Sequence, residues 1–161
     1  MGIRIITDSA SDMIVENVEN FEFIPLTVTF GEEEFLDGIN LSHREFYEKL
    51  VERDELPHTS QATPFVFEEA YKRAVENGDD AVVVTMSAKL SGTWQSAVTA
   101  AQSYKGKVFV VDSENVTVGE HALIDYAIRL RAQEKTAGEI AEELEKAKKR
   151  VRLVALLDTL E

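Results

Sequence analysis

Short apolar runs alternate with amphipathic stretches along almost the whole chain, and this alternation limits the possible folds more than any other feature. The runs that we predict as buried strands are residues 3–7, 23–30, 81–86, 107–111 and 152–157. Most are rich in Val, Ile or Leu, as expected for strands covered on both faces. The pattern predicts an α/β fold, with a largely parallel sheet flanked by helices on both faces. Residues 31–37 suggest a turn and a small antiparallel addition.

Helix start and stop signals lie between the predicted strands. The start signals are two capping boxes and one proline at a first helical position: Ser42 with Glu45, Thr136 with Glu139, and Thr63 with Pro64. Gly78 is placed to end the helix that begins at Pro64. Apolar spacing predicts two further helices, at 93–104 and 120–133. Because the sequence shows no internal repeat and no long linker, we expect residues 1–161 to form one domain.

The charge balance excludes several classes of partner. The 161 residues include 30 acidic and 17 basic side chains, a formal net charge of −13. Without a basic stripe to release counterions, nucleic acid is not an expected partner. An anionic membrane would repel the chain, and no apolar run approaches spanning length, so we expect no stable membrane anchoring. The absence of cysteine excludes disulfides and thiolate chemistry, which fits a cytoplasmic location.

The sequence gives little support for a metal site or a hydrolase. His43, His58 and His121 are scattered, and no pair of them has metal-ligand spacing. There is no Gly-x-Ser-x-Gly nucleophile motif. We therefore expect no metal, no cofactor and no catalytic residue.

Hydroxyl-rich segments coincide with the places where an open parallel sheet binds ligands, beyond the carboxyl ends of its strands. They follow three predicted strands and precede the Pro64 helix, at residues 7–12, 87–93, 112–113 and 59–61. Ser91, Gly92 and Thr93 open a predicted helix, where free backbone N–H groups and the helix dipole favour an anion. The plainer alternative is that Ser91 only caps that helix. Thr59 and Ser60 could likewise be ordinary loop residues.

Six short sequence segments, taken in their order and spacing, resemble those of the DegV family, and the resemblance covers the whole chain. The segments are Ile5-Ile6-Thr7-Asp8-Ser9, Ile24-Pro25-Leu26, Asp37-Gly38, Thr59-Ser60-Gln61, Leu90-Ser91-Gly92-Thr93 and Val111-Asp112-Ser113. The resemblance implies a carrier that holds one long-chain fatty acid between an N-terminal α/β domain and a C-terminal domain. It assigns residues 1–161 to the N-terminal domain, so that the family's C-terminal domain is absent from this chain.

The resemblance also implies roles for individual residues. The fatty-acid carboxylate would be held by the following residues: Thr59 and Ser60 in one loop, Ser91, Gly92 and Thr93 at a helix start, and Ser9 and Ser113 as neighbouring polar walls. The carrier would perform no chemistry itself and would present its acid to a fatty acid kinase, which makes acyl phosphate. Ala62 departs from the family pattern, which usually has proline at that position.

Two other functions compete with the carrier. The hydroxyl-rich strand ends also fit a small phosphoryl- or acyl-transferring enzyme with Ser91 as nucleophile and Asp8 or Asp112 nearby. Against it, only His58 among the histidines falls beside one of these loops, and a serine without a base is a weak nucleophile. The other alternative is a regulatory domain without a ligand.

Overall fold

A four-stranded parallel sheet forms the centre of the molecule. The computed structural model describes residues 2–13 and 18–156. The strand order is β2-β1-β6-β7, with bounds Phe21–Ile24, Ile3–Asp8, Asp80–Thr85 and Val108–Asp112. A second sheet is antiparallel and has the order β4-β3-β5, with bounds Glu33–Leu36, Thr27–Phe30 and His58–Ser60.

Five α-helices complete the described part of the chain, and they confirm the predicted α/β class. They are α1 His43–Glu52, α2 Pro64–Glu76, α3 Thr93–Ala101, α4 Val118–Ala132 and α5 Ala137–Ala147. Short 3₁₀ turns lie at Ser9–Ser11, Gln102–Tyr104 and Lys148–Arg150. Two apolar clusters cover the parallel sheet. One joins β-strand residues such as Val83 to α2 and α3, and the other joins residues such as Val82 to α4 and α5.

The local helix signals are mostly confirmed. Both predicted capping boxes are formed, with the Ser42 and Thr136 side chains accepting backbone N–H groups in the first turns of α1 and α5. Pro64 is the first residue of α2, although the Thr63 side chain makes no capping hydrogen bond there. Gly78 follows the end of α2 at a φ of +82°, the left-handed conformation that favours glycine after a helix.

The predicted single strand 23–30 is wrong, because this segment contains two strands in different sheets. β2 pairs in parallel with β1, whereas β3 pairs antiparallel with β4 and β5. Pro25 lies between them and has no N–H to donate to a ladder, so the chain leaves the first sheet there. The predicted antiparallel addition is confirmed as β4. Residues 59–61 were expected as loop, but Thr59 and Ser60 belong to β5 at the other edge of the same small sheet.

The strand predicted at 152–157 is also wrong for the residues that the structure describes, and Leu157 lies outside them. Residues 152–156 carry no strand assignment. The Val154 and Leu156 side chains are 90% and 99% exposed. A strand requires a neighbour for its backbone hydrogen bonds, so apolar composition alone does not create one.

Candidate ligand-binding site

The topology places the candidate site at the carboxyl ends of β1 and β6. The chain leaves β1 towards β2 on one side and later adds β6 and β7 on the other, so β1 and β6 flank the point where the strand order switches. Open α/β sheets bind ligands in the crevice beside such a point. Here the crevice lies between the parallel sheet and the small antiparallel sheet.

A groove of about 290 Å³ brings together four of the residues predicted to bind the ligand. We call it the head groove, and its lining residues are Leu26, Thr59, Ser60, Gln61, Met86, Leu90, Ser91 and Gly92. Thr59 and Ser60 reach it from β5 and are exposed, and Ser91 and Gly92 reach it from the turn before α3. The groove thus has two exposed hydroxyl side chains on one wall and the start of a helix on the other.

Ser91 is held in place by the helix that it precedes. Its hydroxyl oxygen accepts a hydrogen bond from the Thr93 backbone N–H at 3.2 Å and lies 2.9 Å from the Thr93 hydroxyl oxygen. Thr93 is fully buried, whereas Ser91 is half-buried and lines the head groove. Ser91 therefore both caps the helix and lines the groove, and its contacts with Thr93 hold its hydroxyl in position.

Gln61 is a site residue to which sequence reasoning gave no role. Its side-chain N–H₂ group donates to the Ser96 hydroxyl at 3.3 Å, across the start of α3. A Cβ atom at Gly92 would lie 1.9 Å from the Gln61 Oε1 atom, so any larger residue there would displace the exposed Gln61 side chain from this position. No signal in the sequence joins positions 61 and 92, because their contact depends on how β5 packs beside α3.

A larger, mostly apolar groove of about 630 Å³ continues from the head groove. We call it the tail groove, and the two share Leu26, Thr59 and Met86. Its apolar lining residues are Ala10, Leu26, Val28, Phe46, Tyr47 and Met86. A ligand with a polar head and a long apolar tail would match the two grooves, with its head in the first and its tail in the second, since a pocket must cover most of such a ligand.

Ser9 and Ser113 lie outside the head groove. The Ser9 hydroxyl accepts a hydrogen bond from the Leu26 backbone N–H at 3.0 Å and is buried. The Ser113 hydroxyl is also buried, and both of its hydrogen bonds are made to the backbone of Asn115. Both serines thus support loops at this edge of the sheet.

Two buried carboxyl groups lie behind the site. The Asp8 carboxylate accepts backbone N–H groups of Ala10 and Met86 at 3.0 and 2.8 Å, and burial raises its pKa to about 6. Burial, followed by the charge of Asp8, raises the pKa of Glu120 to about 10. Thr7 donates its hydroxyl to Glu120 Oε1 at 3.2 Å, and Oε2 has no hydrogen-bond partner among the described residues. The sequence did not single out Glu120.

The described residues show no group of three or more His, Asp or Glu side chains arranged to hold a metal ion. In residues 2–13 and 18–156, no helix is both long and apolar enough to cross a membrane.

The lining of the head groove includes no acidic, basic or histidine side chain. Its polarity comes from neutral groups and from the α3 start.

Relatives with similar sequences extend over most or all of this chain. A DegV domain-containing protein of Deinococcus radiodurans is 35% identical across 100% of this chain and 58% of the relative. One from Clostridium perfringens is 38% identical across 80% of this chain and 47% of the relative. The chain thus spans about half the length of the curated relatives that it matches.

Solved structures of DegV family proteins have the same fold as this chain. A fatty-acid-binding DegV family protein of Thermus thermophilus matches with a TM-score of 0.83 and 31% identity, over 92% of this chain and 54% of that one. A stearic-acid-binding protein of Eubacterium ventriosum matches with a TM-score of 0.80 and 28% identity, over 90% and 52%. The model of the DegV family, described as uncharacterised proteins, matches residues 2–161. This chain belongs to the DegV family.

Proposed function

We propose that this chain binds a long-chain fatty acid, with its carboxylate in the head groove and its acyl chain in the tail groove. One observation carries the proposal: a small hydroxyl-lined groove lies beside a larger, mostly apolar one, and the two share Leu26, Thr59 and Met86. The Thermus thermophilus and Eubacterium ventriosum relatives, which bind fatty acids, support the class of ligand.

Within the head groove, the proposed contacts of the carboxylate are the Thr59, Ser60 and Ser91 hydroxyls together with the backbone at Gly92. Hydroxyl donors and a helix start stabilise an anion without a counter-charge, because both present positive dipole ends. Thr93 positions Ser91 through the contacts described above. Ser9 and Ser113 are proposed as supports of the surrounding loops.

The proposal makes the chain a carrier without chemistry of its own, and the sequence resemblance suggests that a fatty acid kinase takes up the presented acid. The transferase alternative would need a base beside Ser91, and the residues that line the head groove provide none.

With a net charge of −13, the chain would favour a basic docking surface on the kinase. Association that slows as salt is added would support this docking mode.

We further propose that the part of the longer relatives that this chain does not match supplies the missing walls of the pocket. Both grooves are open clefts, whereas bound ligands lose most of their surface to a pocket. If about half of a long acyl chain stayed in water, binding would weaken by about 5 kcal/mol, at roughly 0.8 kcal/mol per methylene.

Titration with fluorescently labelled palmitate tests these proposals. The chain is compared with a chimera in which it is followed by the unmatched part of the Thermus thermophilus relative. We expect much tighter binding by the chimera, and a further loss in both proteins when Thr59→Val and Ser91→Ala are combined. Ser103→Ala, an exposed serine outside both grooves, is the matched control. Saturable binding by neither protein would contradict the carrier function, and equal binding by both would contradict the need for further walls.

A further inference from the structure

A third pocket adjoins the tail groove, and polar side chains line the junction between the two. This end pocket has a volume of about 370 Å³ and includes the apolar residues Met13, Phe23 and Ile39. It shares Asp12, Asp37 and His43 with the tail groove and no residue with the head groove. The three spaces therefore follow one another, with the tail groove in the middle.

We propose that the contact between Asp12 and His43 closes the far end of the tail groove and sets the longest acyl chain that the protein accepts. This inference rests on the proposed fatty-acid function. The His43 Nε2 atom lies 3.8 Å from the Asp12 Oδ1 atom, and both side chains line the groove and the end pocket. Asp37 lines the same junction, so an advancing methyl end meets two carboxylates and an imidazole.

The backbone places both residues of this contact at defined points, and their side chains are partly exposed, 49% for Asp12 and 62% for His43. Asp12 ends the Ser9–Ser11 turn in the left-handed conformation, at a φ of 51°, and its N–H donates to the Ser9 carbonyl. His43 is the first residue of α1, directly after the capping-box residue Ser42. The contact therefore connects the loop after β1 to the start of α1, and the barrier has a defined position along the groove.

A charged barrier selects by length because its cost falls only on tails that reach it. Each methylene buried in an apolar groove strengthens binding roughly fourfold. A methylene that enters the junction instead displaces water from Asp12, Asp37 and His43, and polar groups that lose water without gaining a partner oppose binding. Beyond the junction, the apolar residues of the end pocket could again receive methylenes once the barrier is removed.

The test measures affinity for saturated acids from laurate to behenate, using the chain and the chimera described above. In the unmodified proteins, affinity should rise with chain length to one favoured acid and fall for the next longer acids. His43→Leu should move this maximum to a longer acid, with a gain of about fifteenfold for an acid two methylenes longer, at roughly fourfold for each methylene. Asp12→Asn, which suits a left-handed backbone, should shift the profile in the same direction by a smaller amount.

His58→Leu is the matched control, since His58 is exposed on β5 and lines none of the three spaces. If His43→Leu weakened all acids equally, or left the maximum in place, the barrier would be wrong and the pair would only hold α1. If no acid bound to the unmodified chain or to the chimera, the fatty-acid function itself would be wrong. These outcomes distinguish failure of the barrier from failure of the carrier function.

Discussion

Two kinds of polar group meet at the same edge of the parallel sheet. The inner kind is carboxylic: Asp8 and Glu120 are fully buried, and their contacts are made within the protein. The outer kind is a set of hydroxyls that face the head groove, in which Thr59 and Ser60 are exposed. The inner carboxyl groups do not line the head groove, whereas the outer hydroxyls remain available to bind a ligand there.

This contrast separates stability from binding. A buried carboxyl group changes the free energy of unfolding because its protonation differs between the folded and unfolded chain. An exposed hydroxyl that makes no internal hydrogen bond adds little to stability. The inner carboxyl groups should therefore respond to pH and to mutation through folding, and the outer hydroxyls through ligand affinity.

The largest expected effect is at Glu120, whose pKa is raised to about 10 in the folded chain by burial and by the charge of Asp8. Its folded pKa is higher than its unfolded pKa, so the stability that it contributes is present in acid and is lost as pH rises towards 10. From about pH 7 to about pH 9 the free energy of unfolding should fall by on the order of 3 kcal/mol, near 1.4 kcal/mol per unit.

Glu120→Gln keeps the shape of the protonated acid and cannot ionise, so it should flatten this pH dependence and stabilise the chain above neutral pH. Urea unfolding at several pH values measures both effects. Glu142→Gln, at an exposed position on α5, is the control and should retain the slope. An equal slope in wild type and Glu120→Gln would show that Glu120 is not a buried neutral acid.

A smaller effect is expected at Asp8, whose two oxygens each accept one backbone N–H, from Ala10 and from Met86. Asp8→Asn retains one acceptor and turns an N–H₂ group towards the other N–H, which should destabilise the chain by about 2 kcal/mol at neutral pH. Burial raises the folded pKa of Asp8 to about 6, above its unfolded value, so the wild type gains stability as pH falls through 6. Asn cannot take up this proton, so the cost of the substitution should grow as pH falls. Thermal unfolding measures this cost, with Asp125→Asn as the control. Equal melting temperatures for the two variants would contradict this account.

The sequence predicted the features that depend on neighbouring residues. The capping boxes and the Pro64 helix start need only a few adjacent positions, and the structure confirms them. The strand expected at 152–157 depended on a partner that apolar composition does not specify. At the site, residues 59, 60, 91 and 92 were chosen from strand ends and family resemblance, and the structure brings them to one groove. The approach of Gln61 to Gly92 and the burial of Glu120 depend on packing between distant segments, which no local pattern encodes.

Ser91 connects the two kinds of group, since its hydroxyl both caps the backbone at Thr93 and lines the head groove. A hydrogen bond to a charged carboxylate contributes about 1.5 to 3 kcal/mol, while a buried acyl chain contributes roughly 10 kcal/mol. Ser91→Ala should therefore disturb the position of the carboxylate more than the uptake of lipid. Palmitate isotope-labelled at its carboxyl carbon should show a shifted resonance in Ser91→Ala, and an unchanged resonance would remove Ser91 from the site. Ser103→Ala should leave the resonance in place.

The smallest effect, and the sharpest test of the contrast, is expected from Thr59→Val. Valine has the shape of threonine and suits the strand β5, and Thr59 is exposed, so the free energy of unfolding should change by no more than about 0.5 kcal/mol. Binding should weaken by about 1 kcal/mol, near the lower end for a hydrogen bond to a carboxylate, because water also reaches this hydroxyl. Unfolding in urea and titration with palmitate on the same sample measure the two quantities together. A loss of stability larger than the loss of affinity would place Thr59 with the inner groups and would contradict the division drawn at this edge of the sheet.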